Sequence, residues 1–303
     1  MSGAMKTATS LFSLLARRTL TKVPRTIELG GHRVALPARH FFDWYRFRHR
    51  RYDEPVADIC SILVDKYRAF TAIDIGANVG VTAVQMARTE DVRILCVEGN
   101  EKFIPYLAKN LARASPTSEI APCYVGAVDS EIPGAVRRAA GTAAIEVAEA
   151  PTPGGPTVRL RSLAAILDEH EAFRAARLVK IDTDGFDAKI VVGSKGVFAR
   201  MRPILFVEYT PVGEPCAGDE YYAMIETLGE IGYRWFHVFD NFGNHMLRLS
   251  FDERSHLREL GAYVRSSRKD IKPAVFYFDV CALTDDDRDV SDRLVSRFLL
   301  SNP

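Results

Sequence analysis

The sequence has no long apolar runs and no paired cysteines. Unbroken apolar stretches such as Ile204 to Val207 are far shorter than the roughly 18 residues that a membrane-spanning helix needs, so no transmembrane segment is predicted. The 5 cysteines lie far apart, are odd in number and include no Cys-x-x-Cys pair, which argues against a disulfide framework and a zinc site. We therefore expect a cytoplasmic protein with reduced thiols.

The chain also lacks an excess of one charge, since 40 Lys and Arg residues face 39 Asp and Glu residues. Residues 1–51 nevertheless contain eleven basic and only two acidic residues. We interpret residues 1–52 as a basic N-terminal arm, most simply one that packs on the acidic remainder of the chain. An alternative is peripheral contact with an anionic membrane surface or with nucleic-acid phosphates, because such attraction needs no specific sequence.

From residue 53 onward, short β-rich runs alternate with segments of helical period, which is typical of a sheet built from β-α units. The long stretch between the third and fourth of these runs is rich in Gly and Pro, so it predicts an inserted hairpin or lid at about 130–158. We predict one α/β domain over residues 53–303, in which helices flank a sheet of seven strands at 70–75, 93–98, 123–127, 178–182, 204–208, 234–239 and 275–281.

The strongest motif is Asp-Ile-Gly-Ala-Asn-Val-Gly at residues 74–80, between a predicted strand and a predicted helix. Such a turn can direct free backbone N–H groups at a ligand, and a glycine lets the ligand come close. A dinucleotide fingerprint needs three glycines, but its second and third positions hold Asn78 and Val81, which disfavours a nicotinamide dehydrogenase. A carboxylate at the mouth of the turn would repel a pyrophosphate and favour a cationic group. Ligand contacts are predicted for Asp74, Gly76, Ala77, Asn78 and Gly80.

Glu98 ends the second predicted strand, 22 residues after Gly76. This is the spacing at which an acidic side chain meets the hydroxyl groups of a bound ribose. Together with Asp74, it indicates a nucleoside that carries positive charge and no phosphate, which S-adenosylmethionine matches. Asp129 follows the third predicted strand and either contacts the adenine amino group or is a turn residue.

The fourth predicted strand carries charges where a buried strand should have none. Lys180 and Asp182 lie two residues apart and so share one face, where an unpaired charge would be costly. Lys180 either forms a structural ion pair with Asp74 or Asp182 or takes part in catalysis. Asp182 and Asp184 lie at the carboxyl end of the strand, where ligands of open α/β sheets bind, so either could accept a proton from an acceptor hydroxyl. We expect Asp184 to be this base and also place Asp182 beside the donor.

His237 is a further candidate for the base because histidine titrates near neutrality. Its neighbours Trp235, Phe236 and Phe239 suggest a packing role as the alternative. Oxygen ligands for a divalent metal could come from five residues near the strand ends, but no spacing among them is diagnostic, and no metal is predicted. These five are Asp182, Asp184, Glu208, Asp240 and Asn241.

Five stretches of the sequence resemble, in order, the FkbM-type methyltransferases: residues 72–80, 97–100, 178–185, 202–208 and 239–243. The resemblance covers roughly residues 53–283. It implies a Rossmann-like class I methyltransferase fold with a mostly parallel sheet and an antiparallel last strand, S-adenosylmethionine as methyl donor, and hydroxyl acceptors. Two positions depart from the family pattern, which usually has Glu in place of Asp184 and Pro in place of Gly99.

The resulting hypothesis is an O-methyltransferase that acts on a sugar, a glycan or a polyketide-like natural product. One alternative is a nucleic-acid methyltransferase that uses the basic arm. The segment after the fourth strand reads Asp-Thr-Asp-Gly rather than the Asn-Pro-Pro-aromatic type of tetrad that base-modifying enzymes carry, so no nucleic-acid partner is expected. A second alternative is a non-catalytic protein that only binds S-adenosylmethionine. The sequence does not predict an oligomeric state.

Overall fold

The computed structural model describes residues 22–139, 142–147, 154–183, 185–210, 218–267 and 275–300. Its strands are β1 (Arg25–Leu29), β2 (His32–Leu36), β3 (Phe70–Ile75), β4 (Val92–Val97), β5 (Glu119–Ala121), β6 (Tyr124–Gly126), β7 (Ser130–Ala139), β8 (Thr142–Val147), β9 (Thr157–Ser162), β10 (Leu178–Ile181), β11 (Ile204–Tyr209), β12 (Tyr233–Asp240), β13 (His245–Ser250) and β14 (Phe278–Thr284). The helices are α1 (Phe42–Arg48), α2 (Glu54–Tyr67), α3 (Val81–Met86), α4 (Ile104–Ala114), α5 (Leu163–Glu169), α6 (Asp187–Gly193), α7 (Lys195–Met201), α8 (Gly218–Glu230), α9 (Ser255–Ser267) and α10 (Arg288–Leu300).

The central sheet has eight strands in the order β13-β12-β14-β11-β10-β3-β4-β5. Strands β5, β4, β3, β10 and β11 are parallel, whereas β14 is antiparallel to both of its neighbours, β11 and β12. This topology confirms the predicted Rossmann-like α/β fold with an antiparallel last strand. Because the carboxyl ends of the parallel strands lie at one edge, the loops that follow them can form a common site.

Alternate residues of the central strands enter two different apolar cores. In β3, Ile73 and Ile75 pack in one core, whereas Phe70 and Ala72 pack in the other. Strand residues alternate between the two faces of a sheet, so this division shows that both faces are buried. The near-continuous apolar runs of these strands follow from that double burial.

The third predicted strand, at 123–127, is wrong in detail. The chain pairs with β4 through β5, whose last residue is Ala121, and then leaves the central sheet. The following β6 pairs instead with β9 in a second sheet of order β6-β9-β7-β8. One strand of the central sheet, β13, was not predicted; it pairs with β12, and its residues are mostly half-buried, so its apolar pattern is weak.

The second sheet contains the described parts of the segment at 130–158 for which a hairpin or lid is expected; residues 140–141 and 148–153 lie outside the described residues. Strand β7 pairs antiparallel with β8, residues 134–139 against 142–147, and also pairs antiparallel with β9. A Cβ at Gly99, two residues after β4, would lie 2.4 Å from the ring of Tyr124 in β6, so this sheet lies next to the carboxyl end of β4.

The N-terminal region beyond residue 24 is folded against the domain. Strands β1 and β2 form a hairpin whose turn residues, Gly30 and Gly31, have φ angles of 58° and 83°, which a type I′ turn requires. Buried residues of the hairpin and of α1 share a core with residues of α3. The amide of Asn110 in α4 bonds both the N–H and the C=O of Ala35 in β2. The boundary predicted after residue 52 therefore divides residues that pack together.

Within the described residues, no helix is both long enough and apolar enough for a bilayer span.

Candidate functional site

A cavity of about 440 Å³ opens at the carboxyl ends of β3, β4, β10 and β11. Residues of the 74–80 loop and Glu98 line one end of it, which we call the donor end. The other end, the acceptor end, is lined by residues of α1, of the α1–α2 connection, of β10 and the loop after it, of β11, of the turn between β12 and β13, and of β14 and the segment before it. The acceptor end comprises Tyr45, Tyr52, Asp53, Lys180, Asp182, Glu208, Asn241, Phe242, Tyr277 and Asp279.

The backbone N–H groups of the 74–80 loop are already bonded within the protein, contrary to the expectation that they face a ligand. The N–H groups of Gly76 and Ala77 both donate to the carbonyl of Val97, at 2.9 and 3.1 Å. That of Asn78 donates to Glu98 Oε2, at 2.8 Å. Since the N–H groups of residues 79 and 80 also have internal acceptors, the loop has no free donor for a phosphate. It fits a nucleoside ligand without phosphates.

The two glycines of the motif serve the packing of the loop. Gly76 has a φ of 80°, and a Cβ there would lie 1.8 Å from the backbone oxygen of Asp182. Gly80 has a φ of 84°, and a Cβ there would lie 2.7 Å from Leu107 Cδ1 in α4. Gly76, Ala77 and Asn78 line the cavity, whereas Gly80 is outside its lining. The close approach that Gly76 permits is that of β10.

Glu98 is 8% exposed and lies in the cavity lining. Its two carboxylate oxygens accept bonds from the N–H groups of Asn78 and Asn100, at 2.8 and 2.6 Å. Burial raises the pKa of Glu98, and these backbone bonds oppose that effect. A carboxylate oxygen can accept more than one hydrogen bond, so the group can still receive the hydroxyls of a ribose. The residues at this end therefore fit the nucleoside of S-adenosylmethionine.

Gly99 follows directly and explains a departure from the family pattern. A Cβ at this position would lie 2.4 Å from the ring of Tyr124, which also lines the cavity. The ring of a proline at this position would clash with Tyr124 in the same way, so the tyrosine of β6 requires a glycine here.

Asp74 lies beneath the cavity rather than in its lining. The residue is fully buried, and Lys180 Nζ lies 3.6 Å from its Oδ1. Burial raises the pKa of Asp74, and the ammonium group of Lys180 opposes this. The predicted direct contact of Asp74 with a cationic ligand is therefore replaced by an indirect effect, because Asp74 holds Lys180 in the cavity floor. Asp129 is also outside the lining, and its carboxylate bonds the N–H and hydroxyl groups of Ser162.

The acceptor end gathers carboxyl groups around Lys180. Lys180 Nζ lies 2.9 Å from Asp182 Oδ2, which confirms an ion pair between these residues. Asp182 also shares a hydrogen bond with Glu208, so one of the two must carry a proton. Burial raises the pKa of Glu208, while the Lys180 charge contributes to a lowered pKa of Asp182 despite its burial. The proton therefore resides on Glu208, and Asp182 is ionised.

Two further acids of the acceptor end were missed by the sequence analysis. Asp279 in β14 is the direct cross-strand neighbour of Glu208. The sequence does contain a signal for Asp279, because it is a charged residue within an otherwise mostly apolar strand. Asp53, at the start of α2, has a φ of 60° and was assigned to the domain boundary rather than to a site. Burial raises the pKa of Asp53 to about 6 and that of Asp279 well above its usual value.

The three candidate bases have different positions. Asp182 lines the cavity, whereas Asp184 lies outside the described residues. The loop around residue 184 is held by buried Asp187, which accepts bonds from the N–H groups of Thr183 and Gly185 at 2.8 and 3.2 Å. His237 is fully buried away from the cavity and bonds His245 and Ser291. Burial lowers its pKa to about 3, which fits a packing role.

The described residues contain no group of three or more His, Cys, Asp or Glu side chains placed to hold a metal ion. The Asp240 carboxylate instead closes a turn by accepting bonds from Phe242 N and Asn244 N, both at 2.9 Å. Asn241 in the same turn accepts a bond from Phe276 N.

Comparison with known proteins gives one family match. The model of the methyltransferase FkbM domain matches residues 74–235, which is more than half of the chain. No curated protein sequence matches the chain. The matched range begins at Asp74 and includes Glu98, Lys180, Asp182 and Glu208.

Several solved structures are similar to the chain. A methyltransferase FkbM from Methylobacillus flagellatus KT is 12% identical, with 70% of this chain and 43% of that chain covered and a TM-score of 0.36. The O-methyltransferase TomG from Streptomyces achromogenes, in complex with SAM, is 12% identical over 76% of this chain and 79% of that chain, with a TM-score of 0.41. An O-methyltransferase from Bacillus cereus, in complex with SAH, is 10% identical over 75% and 80%, with a TM-score of 0.39.

Proposed function

The chain belongs to the FkbM methyltransferase family, and on that premise we propose that it methylates a hydroxyl group of a small-molecule or glycan acceptor with S-adenosylmethionine as donor. The observation that carries the proposal is the donor end of the cavity. There, Glu98 faces the ligand space while the N–H groups of the adjoining loop are all used internally. A phosphate-bearing nucleotide would find no backbone donors in this loop, whereas a ribose would find a carboxylate.

Residues of the chain divide the work of the reaction. When bound, S-adenosylmethionine supplies an electrophilic methyl group on a sulfonium, whose sulfur takes the bonding electrons as the methyl leaves. Glu98 and the 74–80 loop position the nucleoside, and Tyr45, Tyr52 and Phe242 surround the acceptor. Positioning in line is the main requirement of methyl transfer. The acceptor oxygen forms the new C–O bond and loses its proton.

Asp182 is placed to take that proton. It lines the cavity, its carboxylate is kept ionised by Lys180, and it is 40% exposed at the side chain. Asp74 in turn holds Lys180 in place. The ion pair predicted for Lys180 and the catalytic role predicted for Asp182 therefore belong to the same cluster of side chains. Asp184 remains the alternative base, since it lies two residues further along the same loop.

The proposal is tested by calorimetry with S-adenosylmethionine and the Glu98→Ala variant. Loss of charged hydrogen bonds should weaken donor binding by about 1 to 3 kcal/mol. The matched control is Glu101→Ala, because Glu101 is an exposed neighbour outside the cavity lining and should leave the affinity unchanged. Unchanged donor affinity in Glu98→Ala would show that Glu98 does not bind the ribose.

A further inference from the structure

The acceptor end of the cavity has carboxyl groups that no cationic side chain of the described residues pairs with. Four of its lining residues bear carboxyl groups: Asp53, Asp182, Glu208 and Asp279. Among the lining residues that the structure describes, only Lys180 has an ammonium group, and burial lowers the pKa of the lining residue His40 to about 4, which leaves it neutral at pH 7. The Lys180 charge is shared between Asp74 and Asp182. Asp53 and Asp279 have no hydrogen-bond or ion-pair partner among the described residues.

The placement of these acids opposes folding stability. Asp279 lies directly opposite Glu208 on the adjacent antiparallel strand, so its cross-strand neighbour is a protonated carboxyl group and not a cation. Burial of a carboxylate without a partner is unfavourable, so ionised Asp53 and Asp279 lower the stability of the free protein. A cation between Asp53 and Asp279 would relieve this cost. The described residues do not form a metal-binding group, which favours an organic cation.

A second observation points to a ligand at the same place. Asn241 is 3% exposed and lines the cavity, and its Nδ2 is buried without a hydrogen-bond partner, although its Oδ1 accepts from Phe276 N. Buried amide donors are almost always satisfied, so this one indicates an oxygen acceptor that a ligand would supply. The aromatic rings of Tyr52, Phe242 and Tyr277 line the same end and suit a cation or a sugar ring.

We propose that the acceptor is an amino alcohol, such as an amino sugar, whose protonated amine binds between Asp53 and Asp279 while its hydroxyl lies near Asp182. This inference rests on the proposed function and specifies the substrate of the same site. Asn241 donates to an oxygen of the acceptor. The bound amine keeps its proton and has no lone pair, so the methyl group goes to the oxygen, whose proton passes to Asp182.

The test uses the full chain saturated with S-adenosylhomocysteine, the demethylated form of the donor. Calorimetry then compares glucosamine with N-acetylglucosamine and glucose, which share the ring but lack the ammonium group. The amine should bind at least 10-fold more tightly than either neutral sugar. In the double variant Asp53→Asn, Asp279→Asn, this preference should be lost, while the affinity for S-adenosylhomocysteine should stay within about 2-fold of the wild-type value.

The matched control is Asp91→Asn. Asp91 has a φ of 68°, close to the 60° of Asp53, but it is exposed outside the cavity lining, so this variant should keep the preference for the amine. Equal binding of the three sugars, or binding of none, by the loaded wild-type protein overturns the inference and leaves the proposed function standing. Failure of the wild-type protein to bind S-adenosylhomocysteine overturns both.

Discussion

The two ends of the cavity are built on opposite principles. At the donor end, the N–H groups of the loop at 76–80 all have acceptors, and both oxygens of Glu98 are bonded before any ligand binds. At the acceptor end, Asp53 and Asp279 have no hydrogen-bond or ion-pair partner in the part of the chain that the structure describes, and Asn241 Nδ2 is buried without an acceptor there. The donor end is thus rigid and preorganised. The acceptor end stores unfavourable contacts that a bound molecule can relieve, and this difference separates donor recognition from acceptor recognition.

The largest expected effect concerns the rigidity of the donor end. Gly76→Ala would force a Cβ to within 1.8 Å of the Asp182 backbone at a φ of 80°, so β3 and β10 would have to separate locally. We expect a loss of about 3 kcal/mol or more in the free energy of unfolding, measured with denaturant. Gly154→Ala is the control, because Gly154 has a φ of 76° but nothing within 4 Å of a Cβ. Similar losses in both variants would show that the backbone conformation alone matters.

The next prediction distinguishes the two ends by their effects on turnover rate and on donor affinity. Asp182→Asn should slow turnover about 100-fold or more, since general-base catalysis contributes about that much. Donor affinity, set at the other end, should change little. Rate and donor affinity measured on the same preparation give the comparison, and Asp184→Asn prepared in parallel decides between the two bases. A variant at residue 182 with full rate and a slow one at residue 184 would transfer the catalytic role to Asp184.

The two ends also differ in how much of them the sequence predicts. The donor end lies within the motif at 74–80 and at Glu98, and the strand at 70–75 that leads into the motif was predicted with the bounds found here, because its pattern is local. The expectation of free N–H groups in the loop was wrong. Two of these groups donate to the carbonyl of Val97, which lies next to the loop only in the folded sheet.

The acceptor end could not be predicted as a unit because its residues come from distant parts of the chain. Asp53 precedes α2 and Asp279 lies in β14, and both line one cavity only in the folded chain, where β14 lies beside β11. The basic composition of residues 1–51 suggests a role in charge interactions, whereas Tyr45 and Tyr52 of the arm at 1–52 line the cavity. Composition carries no information on such packing.

The smallest of these effects concerns the stability of the free protein. Burial raises the pKa of Asp53 from 3.8 to about 6, so between these values the folded protein holds a proton that the unfolded chain releases. Stability therefore falls as pH rises from about 4 to 6. Asp53→Asn removes this effect and keeps a residue type that tolerates positive φ. We expect the variant to be more stable than wild type by about 1 to 2 kcal/mol at pH 7, with no difference near pH 4.

Thermal unfolding of the two proteins across this pH range measures the difference, and Asp91→Asn should follow the wild type throughout. A variant that is less stable than wild type at pH 7 would show that Asp53 has a stabilising partner, and the acceptor end would then resemble the donor end.

The central claim is that the donor end accepts a cationic nucleoside and rejects a phosphate-bearing one. Parallel calorimetric titrations of the full chain with S-adenosylmethionine and with NAD test it directly. We predict saturable binding of S-adenosylmethionine and no binding of NAD at the same concentrations. Binding of NAD as tight as that of S-adenosylmethionine, or no binding of S-adenosylmethionine, would contradict the account.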